Sequence, residues 1–204
     1  MKKMILMAAM FATSVAAMAQ HAVGSFTVAP KVGMTVANVT DFDNSDSRIG
    51  FIGGVEGEYQ ATDLFSISGG IFYSMQGYKY DGSTEILGIK ANGDVTTKLD
   101  YINIPILANV YVVKGLAVKL GIQPAFNVNA SVSGSYNVAG HSGKSDDYDI
   151  EAKSFDFSIP VGLSYEYSNF VIDARYNWGL TKVFDNADAK NSVFQLTLGY
   201  KFAL

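Results

Sequence analysis

The chain has 204 residues, 15 basic and 19 acidic side chains, a formal net charge of −4 and no cysteine. The acidic balance argues against nucleic acid as a partner, and the lack of cysteine excludes disulfides and a lipid anchor on a processed cysteine. Beyond residue 19, no apolar run approaches the roughly twenty residues that a transmembrane helix needs.

The first nineteen residues have the pattern of a secretory signal peptide. They begin Met-Lys-Lys, continue through an apolar run at residues 4–17 and end on Ala-Met-Ala at residues 17–19. A membrane anchor is the alternative, but the apolar run is too short to span comfortably. Cleavage near Ala19-Gln20 leaves 13 basic residues (15 less Lys2 and Lys3) against 19 acidic ones, a net charge of −6. The sequence therefore predicts a signal peptide over residues 1–19 and a single domain over residues 20–204.

Three strands are predicted in the first part of the mature chain from the alternation of apolar and polar residues. The first covers residues 26–38, and a polar, acidic loop follows at 40–48. The second covers about 49–59 and the third about 64–76, with a short turn between them. A long loop is predicted at about 77–98.

Residues 99–128 form the clearest element, two alternating runs joined by Lys114-Gly115, which is a hairpin signal. Each run is longer than the usual five or six residues of a strand and matches the roughly nine to eleven that cross a membrane. One face is apolar throughout: Ile102, Ile104, Ile106, Ala108, Val110, Val112, Leu116, Val118, Leu120, Ile122, Phe126 and Val128.

The last three strands are predicted at about 154–167, at 170–179, and over a final run in which Phe194, Leu196, Leu198, Tyr200 and Phe202 alternate with polar residues or glycine. Long loops are predicted at about 133–153 and 181–191, and a tight turn at 168–169. The connections thus alternate between long and short along the whole chain.

This alternation is typical of an outer-membrane barrel with short periplasmic turns and long extracellular loops. We therefore expect an all-β fold, a transmembrane antiparallel up-and-down β-barrel of eight strands, closed because lipid cannot satisfy an open sheet edge. A barrel of this size is filled by its own side chains. Alternation does not say which face points inward, so a soluble periplasmic lipocalin-like barrel, apolar inside, stays open as an alternative.

All four prolines, Pro30, Pro105, Pro124 and Pro160, lie within predicted strands. Proline cannot donate to a β-ladder, which counts against the strand assignment. The alternation survives on both sides of each proline. We therefore keep the strands and expect each proline to mark a bulge or a position near a rim.

The segment from Asp100 to Tyr111, Asp-Tyr-Ile-Asn-Ile-Pro-Ile-Leu-Ala-Asn-Val-Tyr, resembles the Tyr-x-x-Ile-Pro-Leu-Leu strand of PorT-like outer-membrane β-barrel proteins of the Bacteroidetes. Residues 158–163, Ser-Ile-Pro-Val-Gly-Leu, repeat the pattern, and the closing Leu-Gly-Tyr-Lys-Phe at 198–202 is similar. The resemblance covers the chain from about residue 26 and departs from it where Ala203-Leu204 follow Phe202. It implies an eight-stranded barrel of the OmpX or OmpA kind and allows an accessory role in secretion or envelope assembly.

Charged residues on the polar face of the strands are predicted to line the lumen. Four are basic and five acidic, which favours a packed ion-pair network, since buried charges persist when paired. A proton path or polar pore is the alternative. The residues are Lys31, Glu56, Glu58, Lys119, Asp156, Glu166, Asp173, Arg175 and Lys201.

The predicted loops hold twelve of the nineteen acidic residues. Residues 41–46 are faintly similar to a calcium loop but lack its glycine and terminal glutamate, so solvated loops are the interpretation. His141 lies near Ser142 and Asp146, yet no Gly-x-Ser-x-Gly motif is present. The sequence therefore predicts no catalytic residue, no cofactor and no metal site.

Tyrosine, phenylalanine and tryptophan crowd the predicted strand ends, which indicates two interfacial girdles rather than a sugar-binding surface. One girdle contains Tyr73, Tyr78, Tyr80, Tyr101 and Trp178, and the other contains Tyr59, Phe65, Tyr165, Tyr167, Phe170, Tyr200 and Phe202.

These patterns predict a non-enzymatic barrel in the outer membrane of a Gram-negative bacterium, in contact with lipid and monomeric. Its extracellular loops are expected to contact an extracellular or envelope protein or a polysaccharide, as an envelope or secretion accessory. The alternatives are a small-solute channel of the porin kind and the lipocalin-like ligand-binding barrel.

Overall fold

The computed structural model describes residues 21–40, 45–86, 89–138, 141–144, 147–184 and 187–204. The predicted signal peptide, residues 41–44 of the candidate calcium loop, and Asp146 lie outside these residues. No helix in the described part of the chain is long and apolar enough to cross a membrane.

The described residues form strands almost throughout. Their bounds are β1 Phe26–Val39, β2 Ser45–Thr62, β3 Phe65–Ile86, β4 Ile89–Asn103, β5 Ile106–Val113, β6 Leu116–Val138, β7 His141–Lys144, β8 Tyr148–Asp149, β9 Phe155–Tyr167, β10 Phe170–Phe184, β11 Ala187–Tyr200 and β12 Phe202–Ala203.

The strands pair antiparallel with their neighbours in the chain, and the sheet closes where β1 pairs with β11 and β12. β4 and β5 are two parts of one barrel strand, since both lie between β3 and β6. β12 likewise continues β11, and the short strands β7 and β8 both pair with β6. The described residues therefore form a closed, up-and-down barrel of eight strands, which confirms the predicted fold.

The structure decides the direction that alternation left open, because apolar side chains point outward and polar ones inward. Val32 is 58% exposed, whereas its neighbour Lys31 is 1% exposed. Ile172 and Asp173 show the same contrast on β10, at 52% and 1%. A lipocalin-like barrel has the opposite orientation, so that alternative is wrong.

Three tight connections lie at one end of the barrel, which is the periplasmic end by the rule for this class. Gly115 and Ser168 turn two of them with φ of 78° and 51°. The start of β1 and the C-terminal residue meet at the same end, where the N–H of Leu204 donates to the carbonyl of Phe26 over 3.0 Å.

The connections at the opposite end differ from prediction, because most of their length is strand rather than loop. β3 and β4 pair continuously from Phe72–Asn103 to Ile86–Ile89, across the predicted loop at 77–98. β6 continues to Val138 and pairs there with β7. β3 has 22 residues and β6 has 23, about twice what a membrane span needs. These extensions lack an apolar face, so their sequence has no period by which a strand is recognised.

The prolines interrupt the β-ladder, but the expected bulges are absent at Pro30 and Pro160, where the pairing register with β2 and β10 is unchanged. Pro105 separates β4 from β5. The others lie beside gaps in a neighbouring pairing: Pro30 at the gap between β11 and β12, Pro124 beside Ile104, and Pro160 beside Gly121. A missing N–H removes one hydrogen bond, while proline's φ of about −65° is still compatible with an extended chain.

Candidate functional site: the charged lumen and the projecting sheet

Five charged side chains meet at the centre of the lumen, and we call them the central cluster: Lys31, Glu56, Lys119, Asp173 and Arg175. Lys31 Nζ lies 2.6 Å from Glu56 Oε1 and 3.1 Å from Asp173 Oδ2. Lys119 Nζ lies 3.0 Å and 2.8 Å from the same two atoms. Arg175 Nη2 lies 3.0 Å from Glu56 Oε2 and 2.8 Å from Asp173 Oδ2. Each carboxylate therefore contacts all three cations.

The alternation of the strands brings this cluster together, because each member occupies an inward position on its strand. Lys31 is on β1, Glu56 on β2, Lys119 on β6, and both Asp173 and Arg175 are on β10. Gly199 on β11 makes room for the lysine stem, since a Cβ at that position would lie 2.6 Å from Lys31 Cγ. A larger residue at 199 would displace Lys31.

A second group, the lower cluster, lies toward the periplasmic end and consists of Lys201, Glu58, Glu166 and His21. Lys201 Nζ lies 2.8 Å from Glu58 Oε2 and 2.7 Å from Glu166 Oε2. His21 Nε2 lies 2.9 Å from Glu166 Oε1. Glu58 Oε1 also accepts hydrogen bonds from Ser66 Oγ at 2.5 Å and from the Tyr111 hydroxyl.

The charges of the two clusters offset each other. The central cluster has three cations and two carboxylates, whereas the lower cluster has one lysine and two carboxylates. The four cations and four carboxylates of the two clusters sum to zero, which limits the cost of burying them.

Eight of the nine residues that the sequence placed in the lumen thus belong to these clusters. Asp156, the ninth, lies apart from them and accepts a hydrogen bond from Thr181 Oγ1 at 2.8 Å.

Sequence reasoning missed a further buried pair near the extracellular end. Arg48 Nη1 lies 3.8 Å from Asp100 Oδ1, and Asp100 Oδ2 accepts hydrogen bonds from the Tyr73 hydroxyl and Asn129 Nδ2. The ladder between β4 and β6 shifts register between Asp100 and Tyr101. The extra residue at this bulge is Val128 of β6, and Asp100 is 6% exposed although Leu99 and Tyr101 on either side of it are buried too, so alternation could not predict its burial.

Above the central cluster the lumen is closed. Asn103, Gln123, Gln195 and Thr197 border a cavity of about 10 Å³, which is room for about one water molecule. Over it lies a group of buried apolar side chains that consists of Val39, Leu99, Tyr101, Ala125, Val183 and Ala189.

Tyr101 was predicted to lie in the upper aromatic girdle, and that prediction is wrong. Its side chain is buried in the apolar group, and its hydroxyl accepts a hydrogen bond from Asn191 Nδ2 at 3.3 Å. Tyr101 shares the phase of the buried Asn103 and lies on the face opposite to the apolar residues Ile102 and Ile104, so the alternation contained the correct signal.

Among the residues that the structure describes, no group of three or more histidine, aspartate or glutamate side chains could hold a metal ion. The buried carboxylates are held by lysine, arginine and hydroxyl groups, an arrangement suited to packing and to sealing the lumen.

The strands that extend past the membrane form a projecting sheet, made of β3 from residue 78 onward, β4 up to residue 98, the end of β6 and β7. Below residue 80, β3 also pairs with β2, but at 81–86 its described pairing is with β4 alone. β7 pairs with β6 alone among the described strands. Among the described residues, the projecting sheet therefore has two backbone edges without a paired strand, one along residues 81–86 of β3 and one along β7.

A salt bridge ties the base of this sheet to the connection that precedes β8. Lys98 Nζ lies 2.7 Å from both carboxylate oxygens of Asp147. The hydrogen bond from Lys98 lowers the pKa of Asp147 below its ordinary value.

The chain is similar to a known protein family and to several solved structures. A family model described as an outer membrane protein beta-barrel domain matches residues 18–185. No curated protein matches the chain.

Several solved barrels are similar in fold at low sequence identity. Ail, the attachment invasion locus protein of Yersinia pestis, solved in complex with the heparin analogue sucrose octasulfate, is 16% identical, with a TM-score of 0.49 over 89% of this chain and 100% of that one. Neisserial surface protein A is 17% identical, with a TM-score of 0.48 over 87% and 97%. A designed transmembrane β-barrel is 13% identical, with a TM-score of 0.41 over 90% and 99%. The family assignment rests on the match to the family model alone.

Proposed function

The chain belongs to the family of outer-membrane protein β-barrel domains, and from this premise we propose that it is a non-enzymatic barrel whose projecting sheet is an extracellular contact surface. The wall offers lipid an apolar face and the lumen is packed with its own side chains, so little surface for a partner remains there. Partner contact is therefore assigned to the projecting sheet.

The two edges of the projecting sheet that pair with no described strand carry this proposal. An exposed edge presents unpaired N–H and C=O groups, which an extended segment of another protein can pair with by adding a strand. The segments predicted as loops hold twelve of the nineteen acidic residues, which favours a partner with basic groups. An extracellular or envelope protein fits such an edge better than a polysaccharide, which has no backbone N–H groups to add to a ladder.

The narrower identity is part of the same proposal. Residues 100–111 and 158–163 support membership of the PorT-like group and hence an accessory role in secretion or envelope assembly. We also propose a monomer whose signal peptide is removed near Ala19-Gln20. Mass spectrometry of the purified protein checks the processing, since the mature chain should begin at Gln20.

The ladder pattern identifies which edge positions to alter. Gly70 N donates to Pro105 O over 3.1 Å, and the register is continuous from there, so even-numbered residues of β3 bond to β4. Ser83 therefore directs its N–H toward the free edge, and Thr84 directs its own toward β4. A proline at 83 removes an edge donor, whereas a proline at 84 removes a ladder bond.

The experiment is crosslinking on intact cells with Ser83→Pro, Ser83→Ala as matched control and Thr84→Pro. Ser83→Pro should lose the partner contacts of the parent, while Ser83→Ala keeps them and both insert normally. Thr84→Pro should lose contacts together with the hairpin's protease resistance. Unchanged contacts in Ser83→Pro and Thr84→Pro overturn the proposal for the edge along residues 81–86.

A further inference from the structure

The residues that precede β1 fold back across the periplasmic mouth of the barrel. Gly24 N donates to Gln60 O over 2.8 Å, and Gln60 N donates to Ser25 O over 3.0 Å. Ser25 N donates to Ala22 O over 3.0 Å, which closes a tight turn. Gly24 adopts φ of 85°, a left-handed conformation that favours glycine. The segment is thus fastened to the end of β2 and reversed in direction.

The turn directs His21 into the lumen. Its Nε2 donates to Glu166 Oε1 over 2.9 Å, and its side chain is 18% exposed although it is near the beginning of the mature chain. Glu166 belongs to β9, and β10 and β11 lie between β9 and β1 in the barrel. The contact therefore bridges the mouth from one side to the other.

The carboxylates beside His21 outnumber the lysines that pair with them. Lys201 contacts both Glu58 and Glu166 and is the one lysine of the lower cluster. Lys201 is shared between two buried carboxylates, and the N–H of His21 gives Glu166 a further donor. His21, Ser25, Thr27, Glu58 and Gln60 surround a cleft with no room for a water molecule.

From this arrangement we propose that residues 21–25 are a stopper that seals the lumen against the periplasm, with Glu166, Lys201 and Glu58 as its seat. The lumen then has a separate seal at each end, the stopper below and the apolar group above. This role is independent of the extracellular contact surface.

Solvent access to Thr27 tests the stopper. The chain has no cysteine, so Thr27→Cys introduces a single thiol at a position that is 3% exposed and borders the cleft. The barrel is reconstituted in phospholipid nanodiscs, and a water-soluble, membrane-impermeant thiol reagent is added. We expect slow labelling in the otherwise native chain and labelling at least tenfold faster when His21→Ala, or deletion of residues 20–24, is added.

Two further variants and a synthetic peptide make the result specific. His21→Gln should label at an intermediate rate, because its amide can still donate to Glu166. Asn103→Cys, above the central cluster, should stay slow with or without the stopper, because the lumen there is closed independently. A synthetic peptide of residues 20–25, added to the deletion variant, should restore slow labelling at Thr27→Cys.

Equal labelling of Thr27→Cys in all backgrounds overturns the proposal, since residues 21–25 then seal nothing. Faster labelling of Asn103→Cys in the deletion variant also overturns it, because the segment then stabilises the barrel generally rather than closing its mouth.

Discussion

Arg175 and Asp173 lie two residues apart on one strand and are joined by two hydrogen bonds, Nε to Oδ1 at 3.2 Å and Nη2 to Oδ2 at 2.8 Å. Both side chains are buried, at 4% and 1% exposure. Residues at i and i+2 share a face of a strand, so β10 alone places both members of this pair in the lumen. The two lysines and the glutamate of the central cluster, which come from other strands, form ion pairs with these two charges.

Replacing Arg175 by Ala should destabilise the barrel by about 3–5 kcal/mol, because Glu56 and Asp173 are left buried with fewer cations. Urea unfolding in lipid vesicles, followed by tryptophan fluorescence, measures the change in the free energy of unfolding. Lys182→Ala is the matched control, since the Lys182–Asp188 pair is exposed, at 46% and 75%, and should contribute little to stability. Equal stability of Arg175→Ala and the parent would show that the central cluster adds nothing.

The sealed lumen should not conduct ions. The central cluster fills its middle, and the apolar group closes it above a cavity of about 10 Å³. Planar-bilayer recording of the purified barrel should therefore give no steady single-channel currents. Reproducible unitary currents from folded protein would favour the porin-like alternative.

Shortening the β3–β4 hairpin should leave folding and insertion intact and remove partner contacts. Tyr80 and Val95 are paired, and even-numbered residues of β3 bond to β4, so an Asn-Gly turn in place of residues 81–94 fits the ladder. The shortened chain should keep its heat-modifiable mobility on gels, because long surface loops contribute little to stability. Retained crosslinks on intact cells would count against the projecting sheet.

Removing residues 200–204 should leave the chain in the periplasm. The deletion removes β12, the pairs Thr27–Ala203 and Val28–Phe202, and the ion pairs of Lys201. The open seam would expose unpaired backbone groups to lipid. Cell fractionation checks the outcome, with deletion of Leu204 alone as the control, and normal insertion of the longer deletion refutes this account of closure.

The Lys98–Asp147 salt bridge should depend on pH. Lys98 lowers the pKa of Asp147 below the ordinary 3.8, so the bridge stabilises the fold above that pH and is lost as pH falls through the lowered value. Titration of the Asp147 carboxyl carbon by NMR should show the pKa rising toward the ordinary value in Lys98→Ala and staying low in Lys98→Arg. An unchanged pKa in Lys98→Ala would mean that the bridge does not form in solution.

The strand extensions and the burial of Asp100 could not be predicted from the sequence. Residues 77–98 lack an apolar face, so nothing in their composition distinguishes a paired hairpin from a solvated loop. Asp100 is buried although Leu99 and Tyr101 on either side of it are buried as well, and its partners Arg48, Tyr73 and Asn129 lie on other strands. Neither feature has a local signal.

The sequence by itself determined the class of this protein. Strands long enough to span a membrane, alternating every second residue and joined by alternately short and long connections, are local properties that survive without knowledge of the partner strands. The same alternation selected the polar face from which eight residues of the two clusters come.

The tertiary structure decided which face points inward, how those charges pair, and that His21 closes the mouth. Ion pairs between strands far apart in sequence depend on register and closure, and the contact of His21 with Glu166 spans 145 residues. A period-two pattern reads identically from either side, and it takes closure of the sheet to give one face to lipid and the other to the lumen.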